Sequence, residues 1–442
     1  MTLLMDPGAA ALLDALHTAG HAAYAVGGCV RDSLLGLAPH DWDLCTSALP
    51  RQVMELFGAQ QCIPTGLQHG TVTVKQGGTL YEITTFRTEG TYTDGRHPDE
   101  VHFVPDVRED LARRDFTINA MAYNEKEGLV DPFGGQADLQ SGILRAVGVP
   151  RQRFTEDALR ILRLYRFAAR FGFAIDPPTA QAAQELCAHL DCVSVERIEE
   201  ELAKLLSAPA PAAYLDEKIL GVVLPELSPE ALAAAKPVVD ACPAGEQALP
   251  VRLAALLLSL GEDGTRRTLR RLRCSNACIE ETAVLVREVV SGVPVAFSSD
   301  TNRAIPSPAL LPAATGSHPS GRSSEKLPAR PPVSLNIYTR KLLGQYGLKT
   351  VQRLAALGTA LQPEHSADFA ALSKLAEQLD ADGVCCRVSQ LAVNGRDLMA
   401  AGVPAGPGIR KVLEALLDGV IREEYPNERQ ALLAAVQQLA AS

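Results

Sequence analysis

The run GGCVRDSLLG at 27–36, followed by HDWDLCTS at 40–47, decides how this chain is read. Gly27-Gly28 makes a turn where backbone N–H groups can approach a phosphate with no Cβ in the way. Arg31 follows closely enough to reach a β- or γ-phosphate, and Asp32 stands where it can fix the Arg31 rotamer. Asp41 and Asp43 alternate around Trp42 on what reads as a strand running into Leu44, so both carboxylates point to one face. Two carboxylates a strand step apart suit a pair of Mg²⁺ ions, one activating an attacking hydroxyl and one clamping a triphosphate. An acidic pair alone is common on solvated surfaces, and Arg31-Asp32 alone reads as a surface pair at a helix start. The order of turn, cation and carboxylates is what carries the phosphoryl-transfer reading.

Composition sets the frame. The chain has 442 residues, 47% apolar and 21% charged, enough for two to four domains with ample core. No run approaches the length of an uncharged membrane span, and MTLLMDPGAA lacks a basic-then-apolar leader, so a cytoplasmic protein without membrane contact is expected. The ten cysteines form no CxxC pair, which points to reduced thiols rather than a disulfide framework or zinc site. A formal charge of −10 argues against uniform coating by nucleic acid. Any RNA contact must be local, and residues 143–173 supply seven Arg against Glu156 and Asp157, a balance of +5.

Residues 1–140 alternate strand-like runs (71–75, 80–86, 120–123) with helical stretches near 6–20 and 50–57, an α/β pattern. From 141 the chain turns helical, with periodicity over 153–170 and 194–207 and an Ala/Leu-rich continuation to about 297. Residues 298–332 hold seven Pro and seven Ser with no aromatic and read as a linker or insertion. Helical periodicity resumes at about 336 and breaks at 402–408. The expected division is therefore 1–140, 141–207, 208–297, 298–332 and 333–442.

Further candidate residues gather in three places. Glu82, flanked by Tyr81 and Ile83, is either a third carboxylate for the metals or an edge-strand Glu facing solvent. In ARRDFTINAMAY (112–123), Asp115 can accept from ribose hydroxyls while Arg113 or Arg114 holds it or a phosphate; an N-capping Asp beside a solvated basic pair is the alternative. Asn119 suits either that site or a turn. In FTEDALRILRLYRF (154–167), a continuous helix makes Asp157 and Arg160 neighbours at i and i+3 on the flank of an apolar stripe. An acceptor beside donors matches the Watson–Crick edges of cytosine and adenine. Uracil and guanine present a carbonyl to Asp157, a mismatch costing about 1–3 kcal/mol per buried group. The polar stretch 84–103 between strand-like segments reads as a moving functional loop, with plain disorder the alternative.

Taken together, GGCVRDSLLG with DWD, RRDFTINAMAY, DPFGGQADLQSGILRAVG (131–148), RFTEDALRILRLYRFAARFGF and VERIEEEL (195–202) resemble the class II nucleotidyltransferases. The resemblance is to CCA-adding enzymes (tRNA nucleotidyltransferases) of the type common in Gram-positive bacteria, and it covers nearly the whole chain except 298–332. It implies a polymerase-β-like α/β head followed by an all-helical neck, body and tail. It further implies Mg²⁺, two per active site, on Asp41 and Asp43; ribose held by Arg113 and Asp115; and the incoming base read by Asp157 and Arg160. Glu156 would orient its neighbours, with Arg163 in the same nucleotide site. The DPFGG stretch would act as a hinge, and the loop at 87–103, with Arg87, Asp94 and Arg96, as the element that switches C to A addition.

The expected activity is addition of C, C and A to the tRNA 3′ end from CTP and ATP, with no obligate protein partner. Arg266, Arg267, Arg270, Arg271 and Arg273 are candidate tRNA backbone contacts, with a solvated helix face the alternative for some. A bacterial poly(A) polymerase or a dedicated A-adding enzyme shares the head motifs. An inactive RNA-binding homologue would have no physical need for intact Asp41, Asp43, Asp115, Asp157 and Arg160.

Overall fold

The computed structural model describes residues 3–90, 100–291 and 334–439. The segment 298–332 and the loop residues Asp94 and Arg96 lie outside the described residues. Two compact units result, Met1–Leu232 with Arg271–Cys274, and Ala233–Arg270 with Ser275–Ser442. Among the described residues no helix is long and apolar enough to cross a membrane.

The first unit begins with strands β1 (Ala23–Val26), β2 (Leu44–Thr46), β3 (Cys62–Gly66), β4 (Thr71–Gln76) and β5 (Thr79–Thr85). A short hairpin, β6 (Arg87–Glu89) and β7 (Val101–Phe103), precedes β8 (Ala122–Asn124) and β9 (Gly128–Val130). Seven strands form one sheet in the order β3-β4-β5-β2-β1-β8-β9. β2 and β5 run parallel, and the other neighbours are antiparallel. Helices of this unit include α1 (Pro7–Thr18), α2 (Gly28–Leu34), α3 (Pro50–Phe57), α4 (Val107–Ala112), α5 (Gly135–Ser141), α6 (Pro150–Glu156), α7 (Leu159–Phe171), α8 (Pro177–Leu186) and α9 (Val195–Leu206).

Strand alternation sorts the sheet into two faces. Val72, Ile83, Leu44 and Ala25 stand in register across β4, β5, β2 and β1 and are all buried. α1 and α3 pack against these strands, and Asp6 starts α1 by accepting the Ala9 N–H at 3.0 Å. Tyr24, Val26 and Cys45 point the other way, into a core with Val107 and Leu111 of α4. Asp43, two residues from Cys45, belongs to this second face.

In the second unit, helices Leu249–Leu257, Asn276–Val290, Leu335–Tyr346, Leu348–Leu361 and Ser366–Ala381 pack on one another. Helices Gly395–Ala400, Pro407–Ile421 and Arg429–Leu439 bury their own core around Leu398, Leu416, Leu432 and Val436. The expected break at 402–408 overlaps the gap between the first two of these, whose second helix already begins at Pro407.

Two expectations are corrected. Asp41 and Asp43 are not within a strand: they lie in the segment just ahead of β2, although the Asp43 carbonyl still accepts the Val26 N–H at 2.9 Å. The helix expected over 153–170 is two helices. Asp157 ends α6 in an extended conformation (φ −145°, ψ 104°), and its carboxylate caps the start of α7 through the Leu159 N–H at 3.1 Å. A short acceptor side chain that bonds nearby backbone competes with helix continuation, which outweighs the apolar periodicity.

Glycine at 358 is required by packing. A Cβ there would overlap the ring of Phe369, which is 2% exposed and cannot swing away. Gly358→Ala should therefore destabilise the protein by about 1–3 kcal/mol despite alanine's better helix propensity, read as a lower denaturation midpoint.

Candidate active site

The second face of the sheet lines up the carboxylates. Thr73 of β4 pairs with Glu82 of β5, and Leu44 pairs with Ile83 in the parallel β2–β5 ladder. Asp43, in the segment leading into β2, and Glu82 of β5 each precede a member of that pair, so they stand side by side. Both side chains are open to solvent, as is Asp41. The Asp43 carboxyl is nonetheless raised above the usual carboxylate range, first by lost hydration and then by the charges of Glu82 and Asp41, with Arg114 pulling the other way. Glu82 thus stands with the aspartates. Among the described residues no three acidic, His or Cys side chains already form a complete metal site. Hard carboxylate oxygens on an incomplete set fit Mg²⁺, which keeps several waters and takes one or two carboxylates plus substrate phosphates.

Gly27 begins α2 at φ 78°, where a side chain would be strained and would meet the Arg114 guanidinium at 2.9 Å. Arg114 therefore lies against the Gly-Gly turn and within reach of the Asp43 charge. Its buried Nε has no hydrogen-bond partner among the described residues. A guanidinium with Nη1 against the glycine turn and its charge near the Asp43 carboxylate is suited to a phosphate oxygen.

Behind this front runs a chain of buried ions. Arg31 is 4% exposed: its Nε donates to Asp32 at 2.8 Å, and its Nη1 donates to Asn119 Oδ1 at 2.6 Å. Its guanidinium lies over Phe167 and Phe171 at 5.2 and 4.9 Å from the ring centres. Asp32 thus fixes the Arg31 rotamer as expected, while the guanidinium itself is engaged inside the protein. Asn119 passes the contact on, its Nδ2 donating to Asp115 at 3.0 Å. Asp115 also accepts from the Phe116 N–H at 2.8 Å and from Arg163 Nε and Nη2 at 2.9 and 2.6 Å. Four donors meet a group with about four acceptor sites. Burial alone would raise the Asp115 carboxyl; Arg163, Asn119 and Arg160 outweigh it and hold the group well below the usual range. Arg163 and Arg166 in turn share the buried Glu201 of α9.

The two base-reading candidates are held separately. Asp157 pairs with Arg197 of α9 at 2.7 Å. Arg160 donates to Glu156 at 2.8 Å and to the Arg113 carbonyl at 3.1 Å, and Glu156 also pairs with Arg153. Glu156 pairs with both Arg153 and Arg160; Asp157 and Arg160 are not paired with each other.

Sequence reading missed Arg197, Glu201 and Asp110. Arg197 and Glu201 are i and i+4 in VERIEEEL, a spacing that placed both on one helix face. Asp110, three and four residues before Arg113 and Arg114, carried the same signal. Of the remaining candidates, Arg87 begins β6, pairs there with Phe103 and reaches the His69 carbonyl. Arg266 is tied to Glu262 and Glu280, Arg271 to Glu226 and Arg273 to Glu196, whereas Arg267 and Arg270 are exposed.

Comparison with known proteins gives these residues their context. Residues 23–145 match the family model for the poly A polymerase head domain. Residues 172–230 match the probable RNA and SrmB-binding site of polymerase A, and 337–436 match a putative tRNA nucleotidyltransferase domain 2. The CCA-adding enzyme of Limosilactobacillus fermentum is 35% identical over 436 residues, 97% of this chain and 96% of its own length. The chain belongs to the CCA-adding enzyme family. The Geobacillus stearothermophilus member is 34% identical over 435 residues, 96% of this chain and 94% of its own. The crystal structure of the Bacillus stearothermophilus CCA-adding enzyme in complex with CTP superposes with a TM-score of 0.78 at 30% identity, covering 99% and 98% of the two chains. The Thermotoga maritima enzyme complexed with tRNA shares the fold at a TM-score of 0.65 and 20% identity, over 99% of this chain and 96% of its own. The α/β head and helical remainder expected from sequence, and the nucleotidyltransferase activity, are those of this family.

Asp115 yields a pH prediction. A carboxylate depressed in the folded state stabilises above its unfolded pKa of about 4 and loses that contribution as pH falls toward the folded value. Asp115→Asn should cost about 3 kcal/mol at neutral pH, and the gap to the parent should close progressively below about pH 4. Thermal melts of both proteins across that range provide the check.

Proposed function

We propose that this enzyme adds C, C and A in turn to the tRNA 3′ end in the cytoplasm. The terminal hydroxyl attacks the α-phosphorus of CTP, twice, and then of ATP, and pyrophosphate leaves. Two Mg²⁺ ions would be held by Asp41 and Asp43, with Glu82 alongside. Bound there, Mg²⁺ would neutralise triphosphate charge and make the attacking hydroxyl more acidic. What supports this reading most is the placement of Asp43 beside Glu82, next to Asp41 and facing the Arg114 guanidinium.

Each remaining residue has a role that its surroundings allow. Gly28 offers its backbone N–H to the triphosphate, the Gly27 N–H being taken by the Met121 carbonyl at 3.1 Å, and the Arg114 guanidinium offers a charged donor. Arg113 and Arg163 border the sugar. Asp115 holds Arg163 and Asn119, and a ribose hydroxyl would take the place of one of its present donors. Arg31 acts from behind through Asn119. Asp157, steadied by Arg197, accepts from the N4 amino group of cytosine or the N6 amino group of adenine. Arg160, steadied by Glu156, donates to the adjoining ring acceptor. The neck arginines and exposed Arg267 and Arg270 are the candidates for tRNA phosphates. The division into head, neck, body and tail follows the same reading, with the hairpin base at Arg87 carrying the loop that serves A addition.

The test uses tRNA ending just before CCA, after CC and after CCA, each with CTP, ATP or both and Mg²⁺. Addition should complete CCA on the first two and stop on the third. Asp41→Ala should lower incorporation roughly a thousandfold or more. Long A tails, or A addition to the CC-ended tRNA alone, would overturn the reading in favour of a poly(A) polymerase or a dedicated A-adding enzyme.

A further inference from the structure

Asp110 is fully buried on α4, on the face of the sheet that carries Asp43. It touches no open part of the site, yet it bonds to both arginines of the RRDF motif. Oδ1 accepts from Arg113 Nε at 3.0 Å and Nη2 at 2.9 Å, and Oδ2 accepts from Arg114 Nη2 at 3.3 Å. Oδ1 also accepts the backbone N–H of Arg87, the first residue of β6, at 3.3 Å. The buried Cys45 thiol beneath β2 is raised first by burial and then by Asp110, with Arg114 and Arg113 opposing, which places all three charges under the strand that follows Asp43.

A buried carboxylate is costly to retain unless its partners compensate it. Here burial would raise the Asp110 carboxyl, and Arg114 and Arg113 outweigh that and lower it, so it stays ionised. A long, flexible guanidinium needs such a fixed anchor to hold one position at a reacting centre. Arg114 extends from this anchor to the Gly27 turn and leaves its Nε unpartnered among the described residues. Arg113 extends its carbonyl to Arg160, on the base-reading side, at 3.1 Å.

We propose that Asp110 is a positioning residue for nucleotide binding, one buried carboxylate that sets the guanidiniums of Arg113 and Arg114 from behind. The proposal rests on the reading that Arg114 meets the triphosphate. Its closing experiment separates the two. Steady-state KM and kcat are measured for CTP on tRNA lacking CCA and for ATP on tRNA ending in CC, in the parent, Asp110→Asn, Arg114→Ala and the double variant, alongside thermal melting. The Asp110→Asn change removes the charge and turns an amide N–H toward donors.

Each single variant should raise KM for both nucleotides about tenfold, with KM for tRNA unchanged. The double variant should fall several-fold short of the product of the two single effects, because Asp110 acts partly through Arg114 and only the remainder, through Arg113, is left to lose. Effects that multiply in the double variant, or a lower melting temperature with unchanged nucleotide KM, would overturn the proposal and leave Asp110 purely structural. An Arg114→Ala enzyme with unchanged nucleotide KM would instead overturn the site reading beneath it. If Asp110→Asn does not fold, Asp110→Glu, which keeps the charge and displaces it by one methylene, carries the same comparison.

Discussion

The buried relay Asp32–Arg31–Asn119–Asp115–Arg163–Glu201–Arg166 is the constraint on which the rest of the first unit depends. It joins α2, the turn after Arg114, α7 and α9 through groups that are expensive to bury singly. Such networks add little net stability over an apolar core, and breaking one member leaves an uncompensated charge. What they supply is a fixed arrangement. The helix after the glycine turn, Asn119 and Asp115, and the arginine face of α7 are held by one set of contacts. The aromatic faces of Phe167 and Phe171 complete it by covering the Arg31 guanidinium.

Asp157 and Arg160, the proposed base readers, show why the break between α6 and α7 matters. On an unbroken helix Asp157 and Arg160 would be a surface ion pair, each satisfied by the other. The break gives each its own support, Arg197 for Asp157 and Glu156 for Arg160. Arg160 Nε has no partner among the described residues, and Asp157 Oδ2 accepts only from Arg197 there. A pair that neutralised itself would have little left to offer a base. Two side chains with separate anchors can present an acceptor and a donor at fixed places.

Much of this was legible in the sequence because local pattern and tertiary role coincide. Residues 50–57, 71–75 and 80–86 carry the periodicity of the elements they form, and the glycine turn followed by two aspartates lies within one short stretch. Glu82 was open between two readings, since its place beside Asp43 depends on a parallel strand pairing with no local signal. The break at Asp157 was hidden because apolar periodicity continues through it, and the Asp157 carboxylate that caps Leu159 is steadied by Arg197, forty residues on. Glu201 was missed for a related reason, whereas Asp110 has its arginines close by in sequence and only its burial went unsignalled. A buried carboxylate looks like a solvated one until its distant partners are known. The boundaries of body and tail, and the arginines near 270, depended on surroundings that composition does not encode.

In the proposed function, fixed protein side chains choose the base. The most direct measurement is the ratio of CTP to UTP incorporation on tRNA lacking CCA, and of ATP to GTP on tRNA ending in CC, in the parent and in Asp157→Ala. Loss of the acceptor should reduce both ratios by at least about tenfold while incorporation itself persists. Unchanged ratios would contradict the account and place base selection elsewhere.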